Sequence, residues 1–433
     1  MTFETTPYSF PVSEVLLLIH RRCVSHKRKN MAKPYGKTPS PFNALTQIQD
    51  EITRTLRAIF WNNVFTTHAI QASLKRYPQW NEIQRAAFSN TVYGMVRWWR
   101  LLWYLAKSEP SWKEKDLQNL QAIYQQYTQR KYSPVVEQRM KNAQRTRVLR
   151  ESIPDWLDDI GVRELGKQWE SAIASLNTSP PPFIRVNTLK IPRDELITVL
   201  RKEGVHAEPY AQNPDALLIK EKKNLFTLPS FHEGLFEVQD AGSQMVSLFL
   251  NPKPGMRIVD ACAGEGSKTL HLAALLQNKG KIIALDTHEG KLKELRRRAA
   301  KAGVDTIETR MITSSKIYKR LYDTADRVLL DVPCSGLGTL RRNPDIKWKL
   351  TPDDLKRLHH LQQTLLEEYS KILKPGGHMV YAVCSILPSE GEKQLHYFLE
   401  QHSDIFTLQQ EKRYWPQTDN TDGFYMALVE RKT

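Results

Sequence analysis

At 433 residues, with 40% hydrophobic and 25% charged residues, the chain is long enough for two or three domains with real cores, which excludes disorder over its whole length. Its 63 Lys and Arg outnumber 47 Asp and Glu, and the formal net charge of +16 points to a polyanionic partner, nucleic acid above all. Four cysteines, Cys23, Cys262, Cys334 and Cys384, show neither C-x-x-C spacing nor the density of a disulfide framework. The longest early apolar stretch, residues 15–19, is too short to cross a bilayer. A cytoplasmic protein with no signal peptide and no membrane span is expected.

Residues 1–40 carry seven Lys and Arg against two Glu and read as a solvated basic tail, within which Met31 offers a second start. From residue 43 to about 107, Ile48, Ile52, Leu56, Ile59 and Val64 recur at helical spacing, so packed amphipathic helices are predicted. The Trp-rich stretch Trp98, Trp99, Trp103 offers base-stacking faces, but such a helix is more often core, and core is the favoured reading. A further helical stretch, interrupted at Pro134 and Pro154, runs to about residue 176, where Pro180, Pro181 and Pro182 mark a boundary. Residues 183–238 read as a small α+β unit, with strands at 183–186 and 216–219 and a helix from Arg193 ended by Gly204. Beyond Arg257 strands and helices alternate, the rhythm of a doubly wound α/β sheet, and residues 424–429 form a late strand. The chain thus divides into 1–40, a helical domain at 41–176, a small subdomain at 177–245 and an α/β domain at 246–433.

The strand at 257–262 runs into Ala263, Gly264, Glu265, Gly266, Ser267, Lys268 and Thr269 and then a helix, which puts two glycines where backbone must approach a ligand. A dinucleotide fingerprint requires a third glycine where Thr269 stands, and a Walker loop requires Gly where Ser267 stands. Asp286 ends the next strand, at the distance expected of a carboxylate accepting ribose hydroxyls. S-adenosylmethionine satisfies loop and acid without either failed motif; a structural glycine turn with an incidental Asp is the alternative. Two apolar runs, 327–334 and 378–384, end in Cys334 and Cys384. In open α/β sheets ligands bind at the carboxyl ends of strands, so both thiols fall beside the cofactor loop and suggest covalent chemistry on a pyrimidine ring. Three inert buried cysteines are the bland alternative, and a zinc site lacks paired ligands, so no metal is expected.

At Asp331-Val-Pro-Cys-Ser-Gly-Leu-Gly338, Arg341-Arg-Asn-Pro-Asp-Ile-Lys-Trp348, Tyr381-Ala-Val-Cys-Ser-Ile-Leu-Pro388, Val238-Gln-Asp-Ala-Gly-Ser-Gln244 and Asp422-Gly-Phe-Tyr425, the chain resembles the Sun-type RNA 5-methylcytosine methyltransferases, most closely the ribosomal small-subunit methyltransferase B (RsmB-like) group. The helical region resembles, by pattern more than motif, the NusB-like RNA-binding domain that this group carries in front. The resemblance implies a Rossmann-like S-adenosylmethionine-dependent methyltransferase domain in which residues Cys262, Ala263, Gly264, Glu265, Gly266, Ser267 and Lys268 wrap the cofactor and Asp286 holds its ribose. It further implies that Cys384 is the nucleophile, that Cys334 assists product release, and that Asp331 contacts cofactor or base. The loop departs from the family's Cys-Ala-Ala-Pro-Gly-Gly-Lys at Gly264, Glu265 and Ser267, Val383 replaces a usual Thr, and no acid follows the strand near Arg310.

Carbon 5 of cytosine is too poor a nucleophile to take a methyl group unaided, and a thiolate adding at carbon 6 makes it enamine-like. Lys268 is the candidate to raise the thiolate fraction. Arg341, Arg342, Lys347 and Trp348, read as an exposed loop, are suited to clamp phosphate and stack a base, while residues 296–298 read as a solvated helix face. The expected partner is RNA, small-subunit (16S) ribosomal RNA before transfer RNA, met by a monomer. DNA cytosine methyltransferases and a non-catalytic RNA-binding or ribosome-assembly factor are the rival readings.

Overall fold

The computed structural model describes residues 41–221 and 223–433, with side chains from residue 46. The basic tail and the start at Met31 lie outside the described residues. The described chain forms two compact units. One is Thr178–Arg341 with Thr351–Thr433; the other runs up to Asn177 and takes in Arg342–Leu350.

The second unit is helical: α1 (Pro41–Phe60), α2 (Thr66–Arg76), α3 (Glu82–Arg97), α4 (Trp99–Ala106), α5 (Glu114–Gln129), α6 (Pro134–Ala143), α7 (Asp155–Leu165) and α8 (Gln168–Leu176). The periodic residues Ile52, Leu56 and Ile59 join Phe88, Val92, Leu102 and Leu120 in its core. Trp99 and Trp103 are core as well, and Phe60 stacks on Trp99 with ring centroids 3.6 Å apart. Pro134 and Pro154 begin helices instead of interrupting one. Pro134 opens the first turn of α6 and Pro154 caps α7, positions where a missing N–H costs nothing.

The first unit contains two sheets. The smaller has β1 (Phe183–Val186), β2 (Ala207–Pro209), β3 (Ala216–Ile219) and β4 (Phe236–Val238) in the order β2-β3-β1-β4, all antiparallel, beside α9 (Arg193–Lys202). After α10 (Ala241–Phe249), the larger sheet is laid down as β5 (Arg257–Asp260), α11 (Ser267–Leu275), β6 (Lys281–Asp286), α12 (Glu289–Ala302), β7 (Ile307–Met311), β8 (Ala325–Asp331), α13 (Pro352–Tyr369), β9 (Leu373–Val383), α14 (Glu392–Gln401), β10 (Phe406–Tyr414) and β11 (Phe424–Arg431). Its order is β10-β11-β9-β8-β5-β6-β7, parallel from β9 to β7, with β11 antiparallel to both neighbours. Apolar residues such as Ile258, Val259, Ile283, Leu329 and Val380 are buried on both faces, as a sheet covered by helices requires. The chain steps outward from β5 to β7 and returns to β8, so the strand order reverses at β5. The crevice at such a switch point lies at the carboxyl ends of the strands.

Candidate active site

Parallel register brings the two cysteines together. Asp331 at the end of β8 pairs with Ala382 of β9, and each chain then runs two or three residues further to its thiol. Both strands stop short of the cysteine, and on β8 Pro333 has no N–H to continue the ladder. The Cys334 and Cys384 sulfurs stand 3.2 Å apart, 1% and 2% exposed. A backbone bond from Gly338 N to Cys384 O at 3.0 Å and another from Gly423 N to Gly338 O at 2.9 Å tie the two cysteine loops to the Asp422-Gly-Phe-Tyr425 turn. The hydrogen bond to Cys384, reinforced by burial and by the charges of Cys384 and Glu390, pushes the Cys334 thiol well above the ordinary thiol range. Either sulfur of the pair can be the S–H donor.

The glycine loop follows β5. Gly266 caps α11 at φ 86°, and a Cβ there would stand 2.0 Å from Leu295 Cδ1. At Gly264 a Cβ would meet nothing within 4 Å, so its face of the loop is open to a ligand. Asp286 braces the turn, its Oδ2 accepting from Gly264 N at 2.9 Å and its Oδ1 from His288 N at 2.8 Å with His288 Nδ1 3.3 Å away, which leaves Oδ2 a further lone pair for a hydroxyl donor. Lys268 Nζ donates to Asp331 Oδ2 at 2.7 Å and lies 5.5 Å from the Phe424 ring centroid. Cys262 is half-buried and in no disulfide. Beneath the loop Asp260, fully buried, accepts from Thr269 Oγ1 at 2.7 Å, and burial raises its carboxyl to about 7.

The loop is also pinned from outside, by residues that no motif singles out. Arg298 of α12 donates to Glu265 O at 2.9 Å, to Ser267 Oγ at 3.1 Å and to the buried Glu237 at 2.8 Å. Arg185 of β1 donates to Ser267 O at 2.6 Å and bonds Gln239. The basic stretch of α12 is thus not uniformly a solvated face. Arg296 and Arg297 are exposed and paired with Glu289 and Glu294, whereas Arg298 turns inward one position later on the helix. The Val238–Gln244 motif lies in the same buried polar layer: Gln239 bonds Ser243 at 3.1 Å, and Gln244 accepts from Asn213 at 3.1 Å.

The segment read as an exposed phosphate clamp is mostly inside the protein. Arg341 is 4% exposed and donates to Pro416 O at 2.8 Å. Lys347 is 1% exposed, with Nζ 3.1 Å from Asn177 Oδ1, and burial depresses its ammonium well below the usual lysine range. Trp348 donates Nε1–H to Val96 O at 2.7 Å, and Arg342 is half-buried. The basic composition belongs to long side chains anchoring a helical turn, Ile346–Lys349, within the helical unit. Among the described residues no group of three or more His, Cys, Asp or Glu is placed to hold a metal ion, and no helix is long and apolar enough to cross a membrane.

Sheet order, switch-point glycine loop and strand-end acid together define a Rossmann-like methyltransferase fold. Residues 247–430 match the family model described as 16S rRNA methyltransferase RsmB/F, and residues 153–225 match that of an RsmF/B-like ferredoxin-like domain. The chain belongs to the RsmB/F family. A probable ribosomal RNA small subunit methyltransferase B of Synechocystis sp. is 39% identical over 264 residues, 58% of this chain and 57% of that protein, so the match spans less than two thirds of that relative. The probable ribosomal RNA small subunit methyltransferase B of Bacillus subtilis is 31% identical over 299 residues, 65% of this chain and 67% of its own length. Among solved structures, PH0851 superimposes with a TM-score of 0.74 at 27% identity, covering 92% of this chain and 100% of that one. A methyltransferase homolog protein from Pyrococcus horikoshii gives 0.59 at 29% identity over 66% of this chain and 98% of its own.

Proposed function

We propose that the protein methylates carbon 5 of a cytosine in small-subunit ribosomal RNA, with S-adenosylmethionine as donor and Cys384 as covalent nucleophile. The observation that carries this reading is the pair of thiols 3.2 Å apart at the carboxyl ends of adjacent parallel strands, beside the glycine loop. A single nucleophile needs no second thiol in contact; a pyrimidine adduct that must form and then release has a use for both. Gly264, Gly266 and Asp286 fit an adenosine-bearing cofactor: one glycine leaves an open face, and the acid keeps acceptor capacity. When bound, the cofactor supplies an electrophilic methyl group.

Cys384 adds to carbon 6 of the ring and raises electron density at carbon 5. After methylation the carbon 5 proton is lost to water, the ring double bond reforms, and the carbon–sulfur electron pair returns to Cys384. Lys268 holds Asp331, three residues before Cys334 on the same strand end, and that carboxyl is the group to meet the polar edge of the base. The target base is turned out of its stack to reach buried thiols. RNA recognition draws on the net charge of +16 and on basic side chains other than the buried Arg341 and Lys347, with Trp348 committed to the helical unit.

The protein is incubated with S-adenosylmethionine and unmodified small-subunit ribosomal RNA, and the RNA is digested and searched for 5-methylcytidine by mass spectrometry. Cys384→Ala should abolish product while retaining cofactor binding by calorimetry. Cys334→Ala should transfer the methyl group yet leave a protein–RNA adduct on a denaturing gel. Product made equally well by Cys384→Ala would sink the nucleophile assignment, and methylation of transfer RNA alone would move the substrate.

A further inference from the structure

One carboxylate beside the thiol pair has no part in this chemistry. Glu390, in the loop between β9 and α14, is 0% exposed. Its Oε1 accepts from Ser335 N at 2.7 Å and from Gln362 Nε2 at 3.2 Å, and its Oε2 accepts from Ser335 Oγ. Gln362, on α13, also donates to Pro333 O at 3.0 Å. Pro333 and Ser335 are the residues on either side of Cys334, so the buried carboxylate holds one neighbour of that cysteine directly and the other through Gln362. None of its partners is a cation. The nearby Arg413 is turned to Glu392 and to Ser385 O at 2.8 Å, and Tyr381 bonds the backbone oxygen of Glu390 at 2.6 Å.

Burying an ionised carboxylate without a countercharge is costly, and neutral donors satisfy its lone pairs without cancelling its field. That field falls on a pair of thiols of which one must become a thiolate. The titratable groups acting on Cys334 are Cys384, Glu390 and Tyr381. Ser335 and Gln362 bring the carboxylate to the Cys334 side of the pair, so a negative charge is disfavoured there more than on Cys384.

We propose that Glu390 is a positioning residue that divides the roles between the thiols: through Ser335 and Gln362 it holds Cys334 against Cys384 and keeps Cys334 as the S–H donor, leaving Cys384 as the sulfur that adds to the ring and departs from it. This rests on the two-thiol reading of the site. When the bond between carbon 6 and Cys384 Sγ breaks, its electron pair goes to that sulfur, and the Cys334 S–H hydrogen-bonds the new thiolate without giving up its proton.

Glu390→Gln keeps the size and one acceptor of the side chain and removes the charge. The test compares full-length Cys384→Ser with Cys384→Ser/Glu390→Gln, alkylated by iodoacetamide between pH 6 and 10 and mapped by mass spectrometry, with no RNA or cofactor present. Half-buried Cys262 serves as internal reference. The expected result is a rise of about tenfold in the Cys334 to Cys262 labelling ratio at pH 8, one unit of thiol titration. A general loosening of the fold exposes the buried Cys334 more than the half-buried Cys262 and raises the ratio at every pH alike, whereas removing the charge moves the pH midpoint of Cys334 labelling downward; an unchanged midpoint overturns the proposal. If the double variant does not fold, the wild-type labelling order decides: Cys384 should react before Cys334 at neutral pH, and the reverse order overturns it. Because labelling needs no substrate, failure to make 5-methylcytidine with labelling as expected counts against the proposed reaction and not against the role of Glu390.

Discussion

Two glycines two residues apart in the loop, Gly264 and Gly266, have different duties, and substitution separates them. At Gly266 a positive φ and a Cβ 2.0 Å from Leu295 act together, so Gly266→Ala should destabilise the catalytic unit by about 3 kcal/mol. At Gly264 the φ is 56° and the space beyond is open, so Gly264→Ala should cost about 1 kcal/mol of stability while intruding where the proposed cofactor would lie. Urea unfolding and calorimetry with S-adenosylmethionine check this. Gly264→Ala should lose at least about tenfold in affinity, and wild-type affinity in that variant would remove the open face from the cofactor site. Both glycines, the strand-end acid and both cysteines were legible in the sequence because each is tied to a motif at short range. Glu390 and Arg298 were not, since their meaning comes from partners 55 and 61 residues away that only folding brings near.

Among elements, α12 carries the clearest division between surface and interior. Its three consecutive arginines look alike in a sequence, yet a helix turns about 100° per residue, and only Arg298 faces the glycine loop and Glu237. Glu237 is buried, and Arg298, with help from Lys301 at 3.9 Å, holds its carboxyl below the usual range against the effect of burial. Removing the guanidinium leaves that carboxylate in a dry layer without its hydrogen-bonded cation, facing only the more weakly acting Lys301 and Arg185. Arg298→Met should therefore destabilise the protein by about 3 kcal/mol and weaken cofactor binding through the freed Glu265 and Ser267 backbone. Arg296→Met and Arg297→Met, which break exposed pairs, should each stay within about 0.5 kcal/mol. The check is thermal unfolding together with KM for the cofactor. Equal effects from all three would mean that α12 acts through charge and not through the inward contact. The same limit on reading explains the 342–350 segment: its Lys and Arg content announces charge, but whether a long side chain reaches water or a carbonyl is decided by packing across the fold.

Across the molecule, two buried groups of the catalytic unit bias stability with pH in opposite directions. Asp260 has its carboxyl raised by burial to about 7, so between about 4 and 7 the folded chain holds a proton that the unfolded chain has released, and stability falls as pH rises through that window. His271 is fully buried and donates Nε2–H to Asp215 at 3.0 Å, with burial lowering its imidazole to about 4. Between about 4 and 6.5 the unfolded chain is the one holding the extra proton, and stability rises with pH. The hydrogen bond to neutral His271 also explains why Asp215 stays ionised despite burial. The two slopes oppose each other over nearly the same window, so they offset in the wild type and are exposed by single substitutions. Asp260→Asn should leave a stability that rises from pH 4 to 6.5, His271→Gln one that falls from pH 4 to 7, each by a few kcal/mol at most. Tryptophan fluorescence is a poor reporter, because all but Trp415 of the ten tryptophans lie in the helical unit. Hydrogen exchange of β5 and β9, corrected for intrinsic rates, reads the catalytic unit directly. Parallel slopes in the two variants would mean that neither group titrates as its burial dictates, and that water reaches the layer beneath the glycine loop.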